Sequence, residues 1–337
     1  MAIRVLVVDD SAFARKVMRE VLTRAGMDVV GIAHDGLEAL EKINELKPDV
    51  VTLDLLMPNL DGMGVLAALP AIDPPRVVVV SMASDDSALG IAALNAGAVE
   101  LVQKPTALAL ERLYDLASEL VAAVTIAASA RPVRFTGEPP ALLQAYPARE
   151  RAIVVIGAST GGPQALTRLV KSLPADLVVP VAIVLHLPPG YTGPFAQRLD
   201  NDCHVEVVEA SDGLEMKPGR VVVAKGGLHL KLRRADGIVR AALDPVPFGT
   251  PHKPAVDVLF ESAAQVYGRG VLGVVLTGMG DDGTRGAKAI HEAGGIVLTE
   301  SERSCVVYGM PRCVDEAGLS AASVEISGMA AEILRRL

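Results

Sequence analysis

The chain has 337 residues, half of them hydrophobic, which suggests two domains that each bury a sizeable core. Forty Asp and Glu against 32 Lys and Arg leave a formal net charge of −8, which argues against a non-specific duplex-DNA binder, since that needs a basic face. Aromatic residues are 3% with no Trp, so a platform of rings for stacking single-stranded nucleic acid is also disfavoured.

In chain order, an apolar run over residues 3–8 predicts a buried parallel strand, and Asp9-Asp10-Ser11 stand at its end. Phe13, Val17, Val21 and Leu22 then recur at helix spacing, up to Gly26. Residues 29–32 predict a second strand. Leu37, Leu40, Ile43 and Leu46 mark a second helix, ending before Pro48. Residues 50–53 predict a third strand with Asp54 directly after it, and residues 77–80 a fourth, followed by Ser81. A fifth over 99–102 is followed by Lys104-Pro105, and Leu113, Leu116, Leu120 and Val124 mark a closing helix. Strand and helix alternate five times, the pattern of a doubly wound parallel sheet.

In that fold Asp9, Asp10, Asp54, Ser81 and Lys104 all fall at carboxyl ends of strands, on one edge of the sheet. Carboxylates gathered there repel one another unless a hard cation joins them, and oxygen ligands suit Mg²⁺. A lysine and a hydroxyl beside them suit a phosphoryl group. Any one of these residues alone reads as a solvated loop residue; five at one topological position do not. On VLVVDDS, LDLLMPNLDG and Lys104-Pro105, residues 1–124 resemble a two-component receiver domain, a flavodoxin-like five-stranded fold. The resemblance implies that Asp54 accepts phosphate from a histidine kinase, with Asp9, Asp10 and Asp54 binding Mg²⁺ and with Ser81 and Lys104 supporting the phosphoryl site.

Two departures from that pattern matter. Leu101 stands where many receivers carry an aromatic residue that turns inward on activation. Leu56, two residues after Asp54, replaces a residue that is often polar or acidic, and the position borders the acyl phosphate. An altered lifetime of the phosphorylated state is therefore expected.

Residues 125–148 accumulate Ala, Ser, Pro and Gly without an apolar period and read as a linker, with Leu142, Leu143 and Tyr146 as docking points. The second domain, 149–337, opens on a branched apolar strand over 153–156 that runs into Gly157-Ala158-Ser159-Thr160-Gly161-Gly162-Pro163. This places Ser159 at a strand end beside a helix N-terminus, and it satisfies G-x-S-x-G, a pattern in which a sharp turn presents a nucleophilic hydroxyl. Alone the pattern is weak, because a plain strand-to-helix turn or a phosphate loop reads the same way. Leu166, Leu169, Val170 and Leu173 stripe the following helix, and residues 178–185 predict a strand that ends at His186.

Short strands over 205–208, 221–224, 228–232 and 238–241, separated by turn pairs, suggest antiparallel strands or hairpins added to a mostly parallel sheet. A helix over 255–267 and a buried strand over 271–276 lead to the loop Thr277-Gly-Met-Gly-Asp-Asp-Gly283, and a late strand covers 296–298. Ser159, His186 and an aspartate of 277–283 thus follow three different strands on one sheet edge, as a nucleophile, a base and an orienting carboxylate require. Spacing does not separate Asp281 from Asp282, and Asp257 remains an outside candidate. The order Ser–His–Asp differs from that of α/β-hydrolases. Backbone N–H groups after Ser159 would form part of an oxyanion hole.

The second domain resembles the catalytic domain of chemotaxis protein-glutamate methylesterases (CheB), on IGASTGGP, LHLPPGYTGPFAQRLD, Gly226-Gly227-Leu228-His229-Leu230, KPAVDVLF, LTGMGDDG and VVYGMP. The resemblance implies Ser159 as nucleophile, His186 as base and Asp282 as orienting acid, with Thr160 and the backbone of Met279 lining the site. It implies release of methanol from glutamyl methyl esters on the helical cytoplasmic bundle of chemoreceptors, with no cofactor for the hydrolysis, and deamidation of particular receptor glutamines. Domain order adds the expectation that the receiver restrains the esterase until Asp54 is phosphorylated, so that a chain beginning near Arg149 is at least as active as the unphosphorylated whole.

His34, His204, His229, His252 and His291 are assigned to structure or surface. Cys203, Cys305 and Cys313, odd in number and without metal spacing, are expected as reduced, buried thiols. A cytoplasmic monomer that neither enters a membrane nor binds nucleic acid is expected. The rival readings are a phosphate or dinucleotide binder, which lacks G-x-G-x-x-G, and a response regulator whose second domain only binds a partner.

Overall fold

The computed structural model describes residues 2–70, 73–82, 87–104, 110–131 and 151–337, and the chain divides into two compact units, Met1–Arg134 and Phe135–Leu337. Pro105 and the expected docking points Leu142, Leu143 and Tyr146 lie outside the described residues.

The first unit is a five-stranded parallel sheet in the order β2-β1-β3-β4-β5. Its strands are β1 (Arg4–Val8), β2 (Asp28–Ala33), β3 (Val50–Leu53), β4 (Arg76–Met82) and β5 (Glu100–Lys104). Between and after them run α1 (Ala12–Arg24), α2 (Gly36–Leu46), α3 (Gly62–Ala68), α4 (Ser87–Asn95) and α5 (Leu110–Ser129). The inner strands are mostly apolar because helices cover both faces: Val5 to Val8 of β1 and Val50, Val51 and Leu53 of β3 are fully buried. Ser11, Asp35 and Asp61 cap α1, α2 and α3 through side-chain oxygens that accept backbone N–H groups of Ala14, Glu38 and Gly64.

α5 runs five residues past Val124, the end expected from the leucine stripe. Its last turns bury Val124 and Ala127, and Ala130 just beyond is buried too, with its carbonyl accepting the Arg76 Nε–H at 3.1 Å. Alanine is a linker residue by composition but also the strongest helix former, and here the second property prevails.

The second unit holds a seven-stranded sheet in the order β14-β13-β12-β6-β7-β9-β8, parallel at every pair. Its elements are β6 (Ile153–Ala158), α6 (Gly162–Lys171), β7 (Val181–Leu185), α7 (Thr192–Asp202), β8 (Glu206–Glu209), β9 (Arg220–Val223), β10 (His229–Ala235) and β11 (Ile238–Asp244). They continue with α8 (Val256–Tyr267), β12 (Val271–Val275), α9 (Thr284–Glu292), β13 (Ile296–Glu300), α10 (Met310–Glu316), β14 (Ala322–Val324) and α11 (Ile326–Arg336). Every residue of β6, β7 and β12 is buried, and each Val or Ile there contributes about 1.5–3 kcal/mol relative to exposure.

The four short strands divide between two sheets. β8 and β9 join the main sheet in parallel, while β10 and β11 form a separate antiparallel hairpin. A parallel return is possible because residues 210–219 cross along β11, where Met216 N–H donates to the Val239 carbonyl and Leu214 accepts from Ala241. β7 starts at Val181 rather than 178, since Pro180 has no N–H to give a ladder and Val178 is part-exposed. All three cysteines are free thiols, but only Cys305 is buried; Cys203 and Cys313 are part-exposed.

Candidate active site

β7, β6 and β12 lie side by side, and each ends in a loop carrying one of the polar residues singled out above. Their registers pair Ala158 with Leu185 and Gly157 with Val275, so Ser159 stands level with His186 on one side and with Thr277 on the other. Backbone bonds lace the loops together. Ser159 N–H donates to the Thr277 carbonyl at 3.0 Å, and His186 N–H donates to the Ala158 carbonyl at 3.1 Å.

His186 Nε2 lies 2.8 Å from Asp282 Oδ2. The imidazole is 6% exposed, and its Nδ1 is buried without a protein hydrogen-bond partner among the described residues. Asp282 also accepts the first N–H groups of α8, Val256 on Oδ2 at 2.8 Å and Asp257 on Oδ1 at 2.9 Å. Burial pushes its acidity down, but the contact with His186 and the two N–H donors outweigh that, and its pKa falls below the ordinary carboxylate value. It is thus held as an anion. Gly157 makes this approach possible, because a Cβ there would sit 2.3 Å from Val256 Cγ1 at the start of α8.

The other two candidate aspartates are placed differently. Asp281 is exposed. Asp257 Oδ1 accepts from Gly283 at 2.9 Å and Gly286 at 2.8 Å, capping α9, and burial raises its pKa.

Ser159 packs against Gly278, where a Cβ would lie 2.7 Å from Ser159 Cβ and 2.4 Å from Met310 Sδ. The Thr277 hydroxyl donates to the carbonyl of the buried Thr160 at 3.0 Å and accepts Val307 N–H at 3.0 Å. Behind it, Glu300 Oε2 accepts Thr277 N–H at 2.9 Å and Oε1 accepts the Ser304 hydroxyl at 2.8 Å. Burial pushes the Glu300 carboxyl up to about 7. Met279, next in the loop, is 47% exposed at the rim.

At the carboxyl edge of the first unit, Lys104 Nζ lies 2.7 Å from Asp9 Oδ2 and 2.8 Å from Asp54 Oδ2. Burial raises the Asp54 pKa; it opposes the Lys104 charge, but the two carboxylates more than restore it. Carboxylate oxygens of Asp9, Asp10 and Asp54 lie within 4.8 Å of one another, a spacing and a hard-oxygen donor set that fit Mg²⁺. Ser81 and Lys104 are among the last residues of strands β4 and β5.

Comparison with known proteins follows the same division. Residues 154–333 match the family model "CheB methylesterase", and residues 5–116 match "Response regulator receiver domain". The chain belongs to the CheB methylesterase family. A relative from Myxococcus xanthus (strain DK1622), named protein-glutamate methylesterase/protein-glutamine glutaminase 5, is 61% identical over 99% of this chain and 97% of its own length. A relative from Thermotoga maritima with the same activities in its name is 42% identical over 94% of this chain and 93% of its own. The crystal structure of the Thermotoga maritima CheB methylesterase catalytic domain is 40% identical, with a TM-score of 0.55, and covers 56% of this chain and 99% of its own.

The structure brings His186 and Asp282 into direct contact and seats Ser159, Thr160 and Met279 on the adjoining loops. What sequence reasoning missed is His252. Assigned to structure or surface, it stacks on His186 with ring centroids 4.0 Å apart and planes 18° from parallel. No spacing signal pointed to it, because it lies 66 residues from His186 in a loop without periodicity. His229 is buried as a structural histidine, and His34, His204 and His291 are exposed.

Proposed function

We propose that the chain is a phosphorylation-regulated serine hydrolase that removes methyl esters from glutamate side chains of chemoreceptors and deamidates receptor glutamines. The supporting observation is the 2.8 Å bond between His186 and Asp282, at the sheet rim where Ser159 leaves the adjacent strand. In this reading Ser159 Oγ attacks the ester carbonyl carbon as His186 takes its proton. Because Nε2 is engaged by Asp282, Nδ1 is the nitrogen that receives the proton. Asp282 stays ionised, holds the ring and stabilises the imidazolium. N–H groups of the loop after Ser159, at the start of α6, and of Met279 stabilise the oxyanion. His186 returns the proton to departing methanol, then activates a water that cleaves the acyl-serine to glutamate. With a glutamine, ammonia leaves in place of methanol.

In the receiver unit, Asp54 accepts a phosphoryl group from a histidine kinase, and Ser81 and Lys104 support the group transferred. Asp9, Asp10 and Asp54 would hold the Mg²⁺, which supplies charge neutralisation. Among the described residues no helix is long and apolar enough to cross a membrane. We place the protein in the cytoplasm, where it meets the receptor's cytoplasmic bundle.

Methanol release from methylated receptor membranes, with and without a small phosphodonor, tests this reading. Release should rise with the phosphodonor in the wild type and not in Asp54→Asn. Ser159→Ala should lose roughly a thousandfold or more of kcat. A Ser159→Ala protein that still releases methanol at the wild-type rate sinks the hydrolase.

A further inference from the structure

The loop between β11 and α8 carries His252, and it is pinned from below by a second imidazole. His229, fully buried at the start of β10, accepts Ala255 N–H on Nδ1 at 3.2 Å and meets the Pro247 carbonyl through Nε2 at 3.0 Å. One side chain therefore ties both ends of the segment 247–255 to the core. Gly227 N–H adds a third tie, to the Lys253 carbonyl at 3.0 Å. Burial lowers the His229 pKa, so this clamp is uncharged near neutrality and keeps one donor and one acceptor nitrogen.

A clamp of this kind is costly to build for a surface loop with nothing to position. What it positions is the ring of His252, laid on the face of His186. His186 is gripped in its own plane by Asp282. An in-plane bond at one nitrogen leaves the ring free to rock out of plane, and a parallel ring 4.0 Å away removes that freedom. We propose that His252 is a positioning residue for the hydrolytic site, holding the imidazole of His186 in the plane that joins Asp282 to the serine and shielding that face from water. The proposal rests on the reading of His186 as the base.

The charges facing the stack agree with this role. His252 meets His186 and Asp282, and its other charged neighbour, Lys253, turns its ammonium to the Phe248 ring at 5.0 Å. His252 is exposed on its outer side, and the desolvation of its stacked face first, with the neighbouring His186 second, holds its pKa below the ordinary imidazole value. Stacked and neutral, it adds no positive charge beside the imidazolium that forms during turnover.

The test uses the full chain with methylated receptor membranes, measuring kcat, KM and the pH dependence of kcat/KM for His252→Ala, His252→Gln and His252→Phe, with Ser159→Ala as control. The alanine and glutamine variants are expected to lose about tenfold in kcat with KM within about twofold, the size that one ring-on-ring contact supplies. The acid limb of kcat/KM should move to higher pH, because hydrating the exposed face favours the imidazolium. The phenylalanine variant, which keeps a ring and cannot titrate, should recover most of kcat and the original limb. Gln keeps size and polarity without the ring and replaces Ala should that variant not fold. The proposal is overturned if the ring-less variants keep wild-type kcat and limb, if they raise KM alone, or if Phe is as impaired as Ala. Residual methanol release by Ser159→Ala would instead indict the hydrolase reading itself.

Discussion

Asp257 and Asp282 cap each other's helices: Asp282 Oδ1 accepts the N–H of Asp257 at 2.9 Å, and Asp257 Oδ1 accepts the N–H of Gly283 at 2.9 Å. The exchange ties the start of α8 to the start of α9, and it fixes the carboxylate that holds His186. Neither aspartate is replaceable by the other, since each serves the opposite helix.

Asp257→Ala should therefore cost about 1 kcal/mol of stability through the lost cap. It should also lower kcat, because the loop that presents Asp282 loses two of its ties. Asp257→Asn keeps an acceptor oxygen and should be milder in both respects. Denaturant unfolding and methanol release measure the pair; an alanine variant with unchanged kcat would separate the cap from the site.

Gly278→Ala tests how closely the nucleophile is packed. The added methyl would meet Ser159 Cβ and Met310 Sδ well inside contact distance. A displacement near 1 Å is enough to cost about a hundredfold in rate. The expected result is a folded protein with kcat reduced by that order, read from steady-state kinetics and a thermal scan. Wild-type kcat would mean that Met310 yields and the serine does not move.

Glu300 predicts a pH dependence of stability. Its folded pKa of about 7 stands above the ordinary 4.5, so the protonated form is favoured by folding. That contribution is complete below pH 4.5 and is lost as pH rises through 7. Glu300→Gln should remove this component and gain stability relative to wild type as pH rises across the same window. Unfolding in denaturant at several pH values between 5 and 8 shows it; a constant difference between the two proteins would contradict it.

Leu56, 54% exposed beside Asp54, leaves an apolar side chain where the acyl phosphate would be approached by water. Leu56→Glu should change the lifetime of phosphorylated Asp54, measured as loss of label from the acyl phosphate. Identical rates in wild type and variant remove the idea.

Much of this was readable from local pattern. Apolar runs bounded by Asp, Ser, Gly and Pro mark where parallel strands end, and in a parallel sheet the strand ends are where chemistry gathers, so the strand-end positions of Asp9, Asp54, Ser159 and His186 are legible in the sequence. The periods also gave two α/β units. Choices among equals were different in kind. Asp281, Asp282 and Asp257 have the same chemistry, and only the positions of β7 and the start of α8 select Asp282 for His186. The direction of β8 and β9 depended on a crossover along β11, and the alanines past Val124 became helix because they had a surface to bury against. His252 reached His186 through a loop whose path is set by the buried His229. Periodicity reports which face of a segment is apolar; which distant residue meets that face is decided by packing, and packing exists only in three dimensions.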